Sequence, residues 1–366
     1  MISLGRLPGV RAILIATLAP LALCQTAGKR AAFYEPPQLF VMTGFIANTT
    51  SGTWGQDFIG VGKWTPEKQQ AALAAWNKGL GRAYDADRVV QSFKNAGATG
   101  VIFYGKWHDG NVPHSTKLTS FRTERDLVGP TIQALRKHGM KIVIYYSVGL
   151  DANPEPRFLE WACRDAGGKP MGRAFPTDWM SFYSPYRQYV IGHLVEVLKL
   201  YGRVDSLWLD LYTQPVLSQD QYTRKAFQVR YSKPIEQATP AERTGFDIAT
   251  RREFLLEIRR TVSAVQPDVA LTFNSSGMSD IVAPKSANQV DGLMDYFSME
   301  GHRVANIDRG ARAGHSMDRP FEVGMLLNSS WYAPMGDQAP PPSMSPEEAI
   351  VSAPLHGPRA PTSTRP

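Results

Sequence analysis

Short apolar runs alternate with helical patterns along most of this chain, and a glycine often stands between the two. Residues 186–201 place apolar side chains at helical spacing, Gly202 then ends the helix, and residues 204–209 form an apolar run of strand length. The same order recurs in the helix–strand pairs 85–96 with 99–104, 125–138 with 141–147, and 251–265 with 269–273. This alternation predicts an α/β fold with a parallel sheet.

Further strand candidates lie at 39–43 and, more weakly, at 292–298 and 321–327. Together the apolar runs supply roughly six or seven of the eight strands of a (β/α)8 barrel of the TIM type. We therefore expect one (β/α)8-like domain over residues 33–352, incomplete at its C-terminal end, with the missing strand after Ala349. Residues 353–366 are rich in Pro, Ser, Thr and Arg, which predicts a disordered tail.

The N-terminus has the pattern of an export signal. Two arginines precede an apolar stretch at 12–23 that is too short to span a bilayer, and a small-x-small cleavage site follows at Cys24. The pattern predicts a signal peptide over residues 1–24, a secreted or periplasmic protein, and no stable membrane insertion. Lipid anchoring at Cys24 is the second interpretation, because leucine precedes this cysteine where a lipobox needs a small residue.

The run at 204–209 leads directly into Asp210, so an apolar strand ends on a carboxylate. Burying such a charge is costly unless it has partners, and enzymes with repeated α/β folds place their chemistry at the carboxyl ends of strands. We therefore predict a functional role for Asp210. The alternative is a carboxylate that caps the next turn or closes a salt bridge in the core.

Other polar residues stand at or just past the ends of the predicted strands. They are Lys106, His108, Asp109, Tyr145, Tyr146, Ser147, Asn274, Glu300 and Glu322. Two or three carboxylates with His, Tyr and Asn suit acid–base chemistry on a hydroxyl-rich ligand. Glycoside hydrolysis needs such a set, with one carboxylate to attack the anomeric carbon and one acid to protonate the departing oxygen. Trp208 alternates in phase with Asp210, so both are expected to face the barrel interior.

Several other classes of function lack support. His108 and His114 are six residues apart in a predicted loop and have no metal-ligand spacing, so no metal site and no cofactor are expected. The sequence contains neither a Gly-x-Ser-x-Gly elbow nor a phosphate-binding P-loop. The net charge of +7 could suggest a nucleic-acid partner, but the basic residues are scattered and no nucleic-acid motif is present.

Beyond these patterns, several segments resemble the α-L-fucosidases of glycoside hydrolase family 29, from about residue 82 to 331. The Lys-Trp-His-Asp-Gly run at 106–110 is similar to the family's Lys-His-His-Asp-Gly signature, and 125–129, 136–141 and 145–147 continue the similarity. Residues 201–210 resemble the strand that carries the family's nucleophile. Asp-Tyr-Phe-Ser-Met-Glu at 295–300 resembles its Asp-Tyr-x-x-Pro-Glu segment, and 321–331 resembles a later Trp-Glu-Thr stretch that ends in Ser-Trp.

The resemblance implies a retaining exo-glycosidase that removes terminal α-L-fucose from fucosylated oligosaccharides. It implies that Asp210 is the nucleophile and Glu300 the acid/base, with Glu322 as the rival for the second role. Substrate binding is then expected from Lys106, Trp107, His108, Tyr146, Trp208, Asn274 and Trp331, with Tyr146 either orienting Asp210 or contacting the sugar ring.

The chain also departs from the family pattern. No histidine occurs in 40–55, where the family has a fucose-contacting histidine; Trp107 replaces the first histidine of the signature; and Leu211 replaces the glycine after the nucleophile. The family's final strand and β-sandwich have no counterpart. Two alternatives therefore stay open: another retaining barrel glycosidase of galactoside type, and an inactive relative that binds glycans without cleaving them.

Overall fold

The protein is represented by a computed structural model that describes residues 30, 32, 38–44, 65–172, 177–211, 217–274, 293–301 and 321–325. The predicted signal peptide, the predicted tail and Trp331 lie outside this part of the chain. Among the described residues, no helix is both long enough and apolar enough to cross a bilayer.

The described strands are β1 Phe40–Thr43, β2 Gly100–Lys106, β3 Lys141–Ser147, β4 Leu150–Asp151, β5 Asp178–Trp179, β6 Ser206–Asp210, β7 Ala270–Asn274, β8 Phe297–Gly301 and β9 Phe321–Met325. The described helices are α1 Pro66–Lys78, α2 Leu80–Ala83, α3 Ala86–Asn95, α4 Val128–Lys137, α5 Pro156–Trp161, α6 Tyr186–Tyr201, α7 Gln221–Tyr231 and α8 Pro240–Val265, with a 3₁₀ turn at Ile235–Gln237.

Five strands form a parallel sheet in the order β1-β2-β3-β6-β7, and β8 and β9 form a second parallel pair. Two hydrogen bonds join β7 to the residues that lead into β8: Asp295 N–H donates to Leu271 O and Thr272 Oγ1 donates to Tyr296 O, both at 2.8 Å. The prediction of an α/β fold with a parallel sheet is confirmed. The order of these seven strands is the sequential order that a (β/α)8 barrel uses.

Local sequence signals explain where the helices begin and end. The Asp85 side chain accepts a hydrogen bond from Arg88 N–H and caps α3. Thr239 and Glu242 form a reciprocal capping box at the start of α8. After α6, Gly202 adopts φ +72°, a left-handed conformation that glycine reaches without steric cost. The chain can therefore turn directly from α6 into β6.

The two faces of the sheet bury different residues, because side chains alternate along each strand. One face, called here the helix-covered face, packs against the surrounding helices and includes Phe103, Ile144, Tyr146, Leu207 and Leu209. The opposite face, called here the inner face, carries Ile102, Val143, Tyr145, Trp208 and Ala270. The inner face is the one that presents Asp210.

A buried charge cluster fixes the segment before β8. Asp295 contacts Arg259 Nη2 at 2.5 Å and Arg30 Nε at 2.9 Å, and all three side chains are almost fully buried. Asp295 also accepts the Leu271 backbone N–H at 2.8 Å. Because its partners come from the N-terminal part, α8 and β7, Asp295 holds the entry to β8 against the main sheet.

Candidate active site

Asp210 is held by hydrogen bonds from both neighbouring strands. Tyr145 of β3 donates its hydroxyl hydrogen to Asp210 Oδ2 at 2.5 Å, and the Asn274 side-chain amide of β7 donates to Oδ1 at 3.0 Å. The strand register explains this, since Asp210 pairs with Ser147 on one side and with Asn274 on the other. Asp210 is 5% exposed, so the orientation of its carboxylate depends more on these protein donors than on water.

His108 approaches the same carboxylate from the loop after β2. Its Nε2 lies 3.6 Å from Asp210 Oδ2, and its Nδ1 is 2.7 Å from Ser147 Oγ. Ser147 Oγ donates its hydrogen to Leu150 O at 2.9 Å, so it accepts the hydrogen bond from His108 Nδ1–H. This arrangement directs the other ring nitrogen toward Asp210.

Trp208 connects Asp210 to the second pair of strands. Its ring stacks on Tyr145 with centroids 5.1 Å apart and an angle of 24° between the planes. The indole N–H donates to Ser298 Oγ at 2.8 Å and to Glu322 Oε1. Trp208 and Asp210 lie on the same face of the sheet, as their alternation along β6 predicts. Glu322 therefore belongs to the same cluster as Asp210, linked through Trp208 and Tyr145.

Glu300 lies in β8, two residues after Ser298, and pairs in register with Gly324 of β9. Its side chain lies outside the described part of the structure. Ser298 pairs with Glu322, so the position of Glu300 is one strand repeat nearer the carboxyl end of the sheet than Glu322 is.

Tyr146 requires a correction. The tyrosine that orients Asp210 is Tyr145, whereas Tyr146 belongs to the opposite face, next to the ring of His193 at 5.9 Å. The Tyr146 hydroxyl is buried without a hydrogen-bond partner, and burial raises its pKa well above the usual value. Adjacent strand residues point to opposite faces, so only one of the two tyrosines can reach Asp210.

Lys106 is also displaced from the predicted site. Its ammonium is fully buried in an ion pair with Asp151 at 2.9 Å and lies 3.3 Å from the Tyr186 hydroxyl. The register between β2 and β3 shifts at this point, since Tyr104 pairs with Tyr145 but Lys106 pairs with Tyr146. This bulge moves Lys106 from the inner face to the helix-covered face, where it binds a carboxylate of the protein.

Asp109, which follows His108 directly, is another buried carboxylate. Its Oδ1 accepts the Asn111 backbone N–H at 3.0 Å, whereas its Oδ2 has no hydrogen-bond partner. Burial raises the pKa of Asp109 to about 7, more than the hydrogen bond from Asn111 lowers it. The next residue, Gly110, has φ +80°, and a Cβ there would meet Asp151 Oδ1 at 2.3 Å, so the turn needs glycine.

These residues lie within a segment that matches a known family. A family model described as alpha-L-fucosidase matches residues 73–268, which is more than half of the chain. The chain belongs to the α-L-fucosidases of glycoside hydrolase family 29. No curated protein sequence matches it.

Solved fucosidases share the fold of this family member. The α-L-fucosidase isoenzyme 2 from Paenibacillus thiaminolyticus is 16% identical with a TM-score of 0.62 over 80% of this chain and 41% of that one. Isoenzyme 1 from the same organism is 18% identical, with a TM-score of 0.55 over 86% of this chain and 65% of that one. The α-L-fucosidase from Vibrio sp. strain EJY3 is 16% identical, with a TM-score of 0.53 over 86% and 47%. The present chain thus spans less than two thirds of each of these proteins.

One departure from the family pattern affects the backbone directly after Asp210. Leu211, which stands where the family has glycine after the nucleophile, adopts φ +54°. A left-handed conformation costs a branched residue roughly 1–2 kcal/mol. The backbone after Asp210 therefore keeps the conformation that suits glycine, although the side chain there is a buried leucine.

Tyr145, Ser147 and Ser298 have contacts at the site that motif reasoning did not assign to them. Tyr145 and Ser147 are two residues apart on β3, so their side chains lie on the same face, and Ser147 pairs with Asp210. Counting by twos back from the strand end would have favoured Tyr145 over Tyr146. For Ser298 the sequence offers no comparable signal, because its contact depends on how β8 lies beside Trp208.

Proposed function

We propose that this protein is a glycoside hydrolase that releases terminal α-L-fucose from fucosylated oligosaccharides with retention of anomeric configuration. The observation that supports this most is the Asp210 carboxylate at the end of β6, oriented by Tyr145 and Asn274 and approached by His108. A carboxylate fixed by neighbouring donors at a strand end suits a nucleophile, because its position is set before the substrate arrives.

In this proposal Asp210 attacks the anomeric carbon and forms a covalent fucosyl-enzyme. A second carboxylic acid protonates the departing oxygen and then, as a base, takes a proton from the water that releases fucose. Retaining enzymes keep the two carboxyl groups about 5–5.5 Å apart, so that one can attack while the other reaches the glycosidic oxygen.

Glu300 is the better candidate for the acid/base. The Glu322 oxygen already accepts the Trp208 indole N–H, so Glu322 is suited to orient Trp208. Glu300 lies one strand repeat nearer the carboxyl end than Glu322, as Asp210 lies one repeat beyond Trp208. Position along the strand therefore favours Glu300, with Glu322 as the alternative.

Sugar recognition is proposed for the aromatic and imidazole side chains beside Asp210. The ring of Trp107 lies beside that of His108, with centroids 4.6 Å apart, and His108 faces the Asp210 carboxylate. Trp331 remains a proposed stacking residue on sequence grounds alone. We also propose export of the protein, as a secreted or periplasmic enzyme, from the pattern of residues 1–24.

The replacement of family histidines supports a second candidate function. Trp107 replaces a family histidine, and 40–55 contains no histidine, so the residues that select fucose differ from the family pattern. A galactoside-type retaining glycosidase is therefore the alternative, and a glycan-binding protein without turnover is the non-enzymatic one.

The test is release of 4-nitrophenol from aryl glycosides by the wild type and by Asp210→Ala, Glu300→Gln and Glu322→Gln. We expect turnover of the α-L-fucoside, its loss in Asp210→Ala, and partial rescue of that variant by azide, a small nucleophile that fills the vacated space. Of the two glutamate variants, Glu300→Gln should lose more activity on an aryl fucoside whose leaving group is poorer than 4-nitrophenol, because a poor leaving group depends most on protonation.

Asp268→Asn is the matched control, because Asp268 is exposed and pairs with Arg203 at the surface. It should leave turnover unchanged. Turnover of the α-L-galactoside but not of the fucoside would favour the alternative enzyme. A folded wild type that turns over none of the aryl glycosides, or an undiminished Asp210→Ala, would refute the proposed role of Asp210.

A further inference from the structure

A second polar cluster lies on the helix-covered side of β3. It consists of His114, from the loop after β2, together with His193 and Glu196 of α6. His114 Nε2 is 3.4 Å from Glu196 Oε2, and His193 Nδ1 is 3.7 Å from the same oxygen. One ligand atom from each of the three residues lies within 4.8 Å of the others.

The cluster leaves an unusual number of buried polar atoms without partners. Both histidines have side chains that are 0% exposed, and neither ring nitrogen of either one has a hydrogen-bond partner. Glu196 Oε2 also has none, although it lies close to both rings. Buried polar atoms are almost always paired, because leaving one unpaired costs about 1–3 kcal/mol. Five such atoms in one place point to a ligand that would satisfy several of them together.

We propose that His114, His193 and Glu196 form a binding site for a divalent transition-metal ion, most suitably Zn²⁺. Two imidazoles and one carboxylate are a common set of zinc ligands, and imidazole favours zinc over calcium or magnesium. Ligands about 2.1 Å from a tetrahedral metal lie roughly 3.4 Å apart. The separations of 3.4 and 3.7 Å therefore match the edges of such a site.

The sequence spacing also suits this role. His193 and Glu196 are three residues apart on α6, so they lie on one side of the helix, and His114 supplies the third ligand from a separate loop. Aromatic rings surround the histidines: Tyr189 meets His193 at 4.5 Å and Tyr201 meets His114 at 6.3 Å, both edge to face. These rings restrict the imidazoles to orientations near Glu196. The Glu196 side chain is 23% exposed, which gives an ion and a fourth ligand such as water a path from solvent.

The bound ion would connect the loop after β2 to α6. That loop also carries His108 and folds back on itself through the bridge between Val112 and Arg122. A metal at His114 stabilises the folded chain by linking segments that are about 80 residues apart, since the unfolded chain does not hold the three ligands together.

The test is titration of the full chain, without a histidine tag, with Co²⁺ and Zn²⁺ after treatment with a chelator. We expect one Co²⁺ per chain with the visible absorption of a tetrahedral site, its displacement by Zn²⁺, and a higher Tm with Zn²⁺. Glu196→Gln, which keeps the side-chain shape, and His193→Gln should each weaken Zn²⁺ binding at least tenfold.

His138→Gln is the matched control. It also removes one imidazole, but His138 pairs with Asp87 near the surface at 2.8 Å, so Zn²⁺ binding should not change. The Co²⁺ titration of the wild type does not depend on whether the variants fold. Absence of stoichiometric binding, or equal binding by wild type and Glu196→Gln, which would indicate an adventitious ion only, would overturn the proposal.

Discussion

The two faces of the main sheet differ in chemistry although they use the same types of residue. On the inner face, Tyr145 donates to Asp210 and stacks on Trp208. On the helix-covered face, the hydroxyl of Tyr146 has no partner, and Lys106 is closed in an ion pair with Asp151. A tyrosine and a charged residue contribute to the candidate site on one face and only to packing and stability on the other.

This difference shows how strictly strand alternation assigns roles. Tyr145 and Tyr146 are neighbours in sequence, but a shift of one residue moves a side chain to the opposite face. The bulge after Tyr104 has the same effect on Lys106, because it turns this side chain away from the inner face. Substitutions on the two faces should therefore separate effects on catalysis from effects on stability.

The largest expected effect is in Lys106→Met. This change leaves Asp151 as a buried carboxylate without its cation, and breaking one partner of a buried pair costs about 3–5 kcal/mol. We expect the free energy of unfolding in urea to fall by that amount, while kcat/KM per folded molecule changes much less. Lys137→Met, which removes a surface pair with Asp87, is the control and should change stability little, because exposed ion pairs contribute little. If Lys106→Met instead had normal stability and a much higher KM, Lys106 would contact the substrate from the inner face.

The sequence predicts much of the fold because the strongest patterns are the buried ones. The strand predicted at 141–147 is β3, and the runs at 99–104 and 204–209 differ from β2 and β6 by one or two residues at their ends. Helix α7 and the short antiparallel pair of β4 and β5 were not predicted. Two-residue strands have no periodicity, and α7 has polar residues at most of its positions.

The candidate site was predictable in part. Asp210, Asn274 and Trp208 follow from strand ends and alternation, and the structure brings them together. Lys106 was assigned wrongly because a bulge leaves no signature in the residue pattern. The cluster of His114, His193 and Glu196 was missed because its members come from a loop and a helix that are distant in sequence.

The next effect concerns Asp109, a buried carboxylate with one hydrogen bond, in contrast to the well-partnered Asp210. Burial raises the pKa of Asp109 from 3.8 to about 7. Between these values the unfolded chain has lost the proton that the folded chain still holds, so this group's contribution to stability is lost as pH rises from about 4 to 7. Asp109→Asn cannot ionise. The free energy of unfolding of Asp109→Asn, taken relative to that of the wild type, should therefore rise by on the order of a few kcal/mol between pH 4 and pH 8.

Urea unfolding of the wild type and Asp109→Asn at both pH values measures this difference directly. Groups that titrate equally in the two proteins cancel in the comparison. An Asp109→Asn difference that does not vary with pH would show that this carboxyl has an ordinary pKa.

A smaller effect comes from the direct comparison of Tyr145→Phe with Tyr146→Phe. The first removes a hydrogen bond to a carboxylate, worth about 1.5–3 kcal/mol, so kcat should fall roughly 10- to 150-fold on the substrate that the wild type cleaves. The second removes a hydroxyl without a partner, so stability should be equal or slightly higher and kcat unchanged. Equal kinetic losses in both variants would mean that the two faces are not separated as described.

The smallest expected effect tests how the inner face is joined to β8 and β9. Ser298→Ala removes one of two acceptors of the Trp208 indole N–H and leaves Glu322 as the other. Because the donor stays satisfied, we expect a loss of about 0.5–1.5 kcal/mol in the free energy of unfolding and little change in kcat. Trp208→Phe keeps an aromatic ring beside Tyr145 but removes the indole N–H from both Ser298 and Glu322. It should therefore lower the free energy of unfolding more than Ser298→Ala does. If Ser298→Ala instead raises KM with unchanged stability, Ser298 contacts the sugar rather than supporting Trp208.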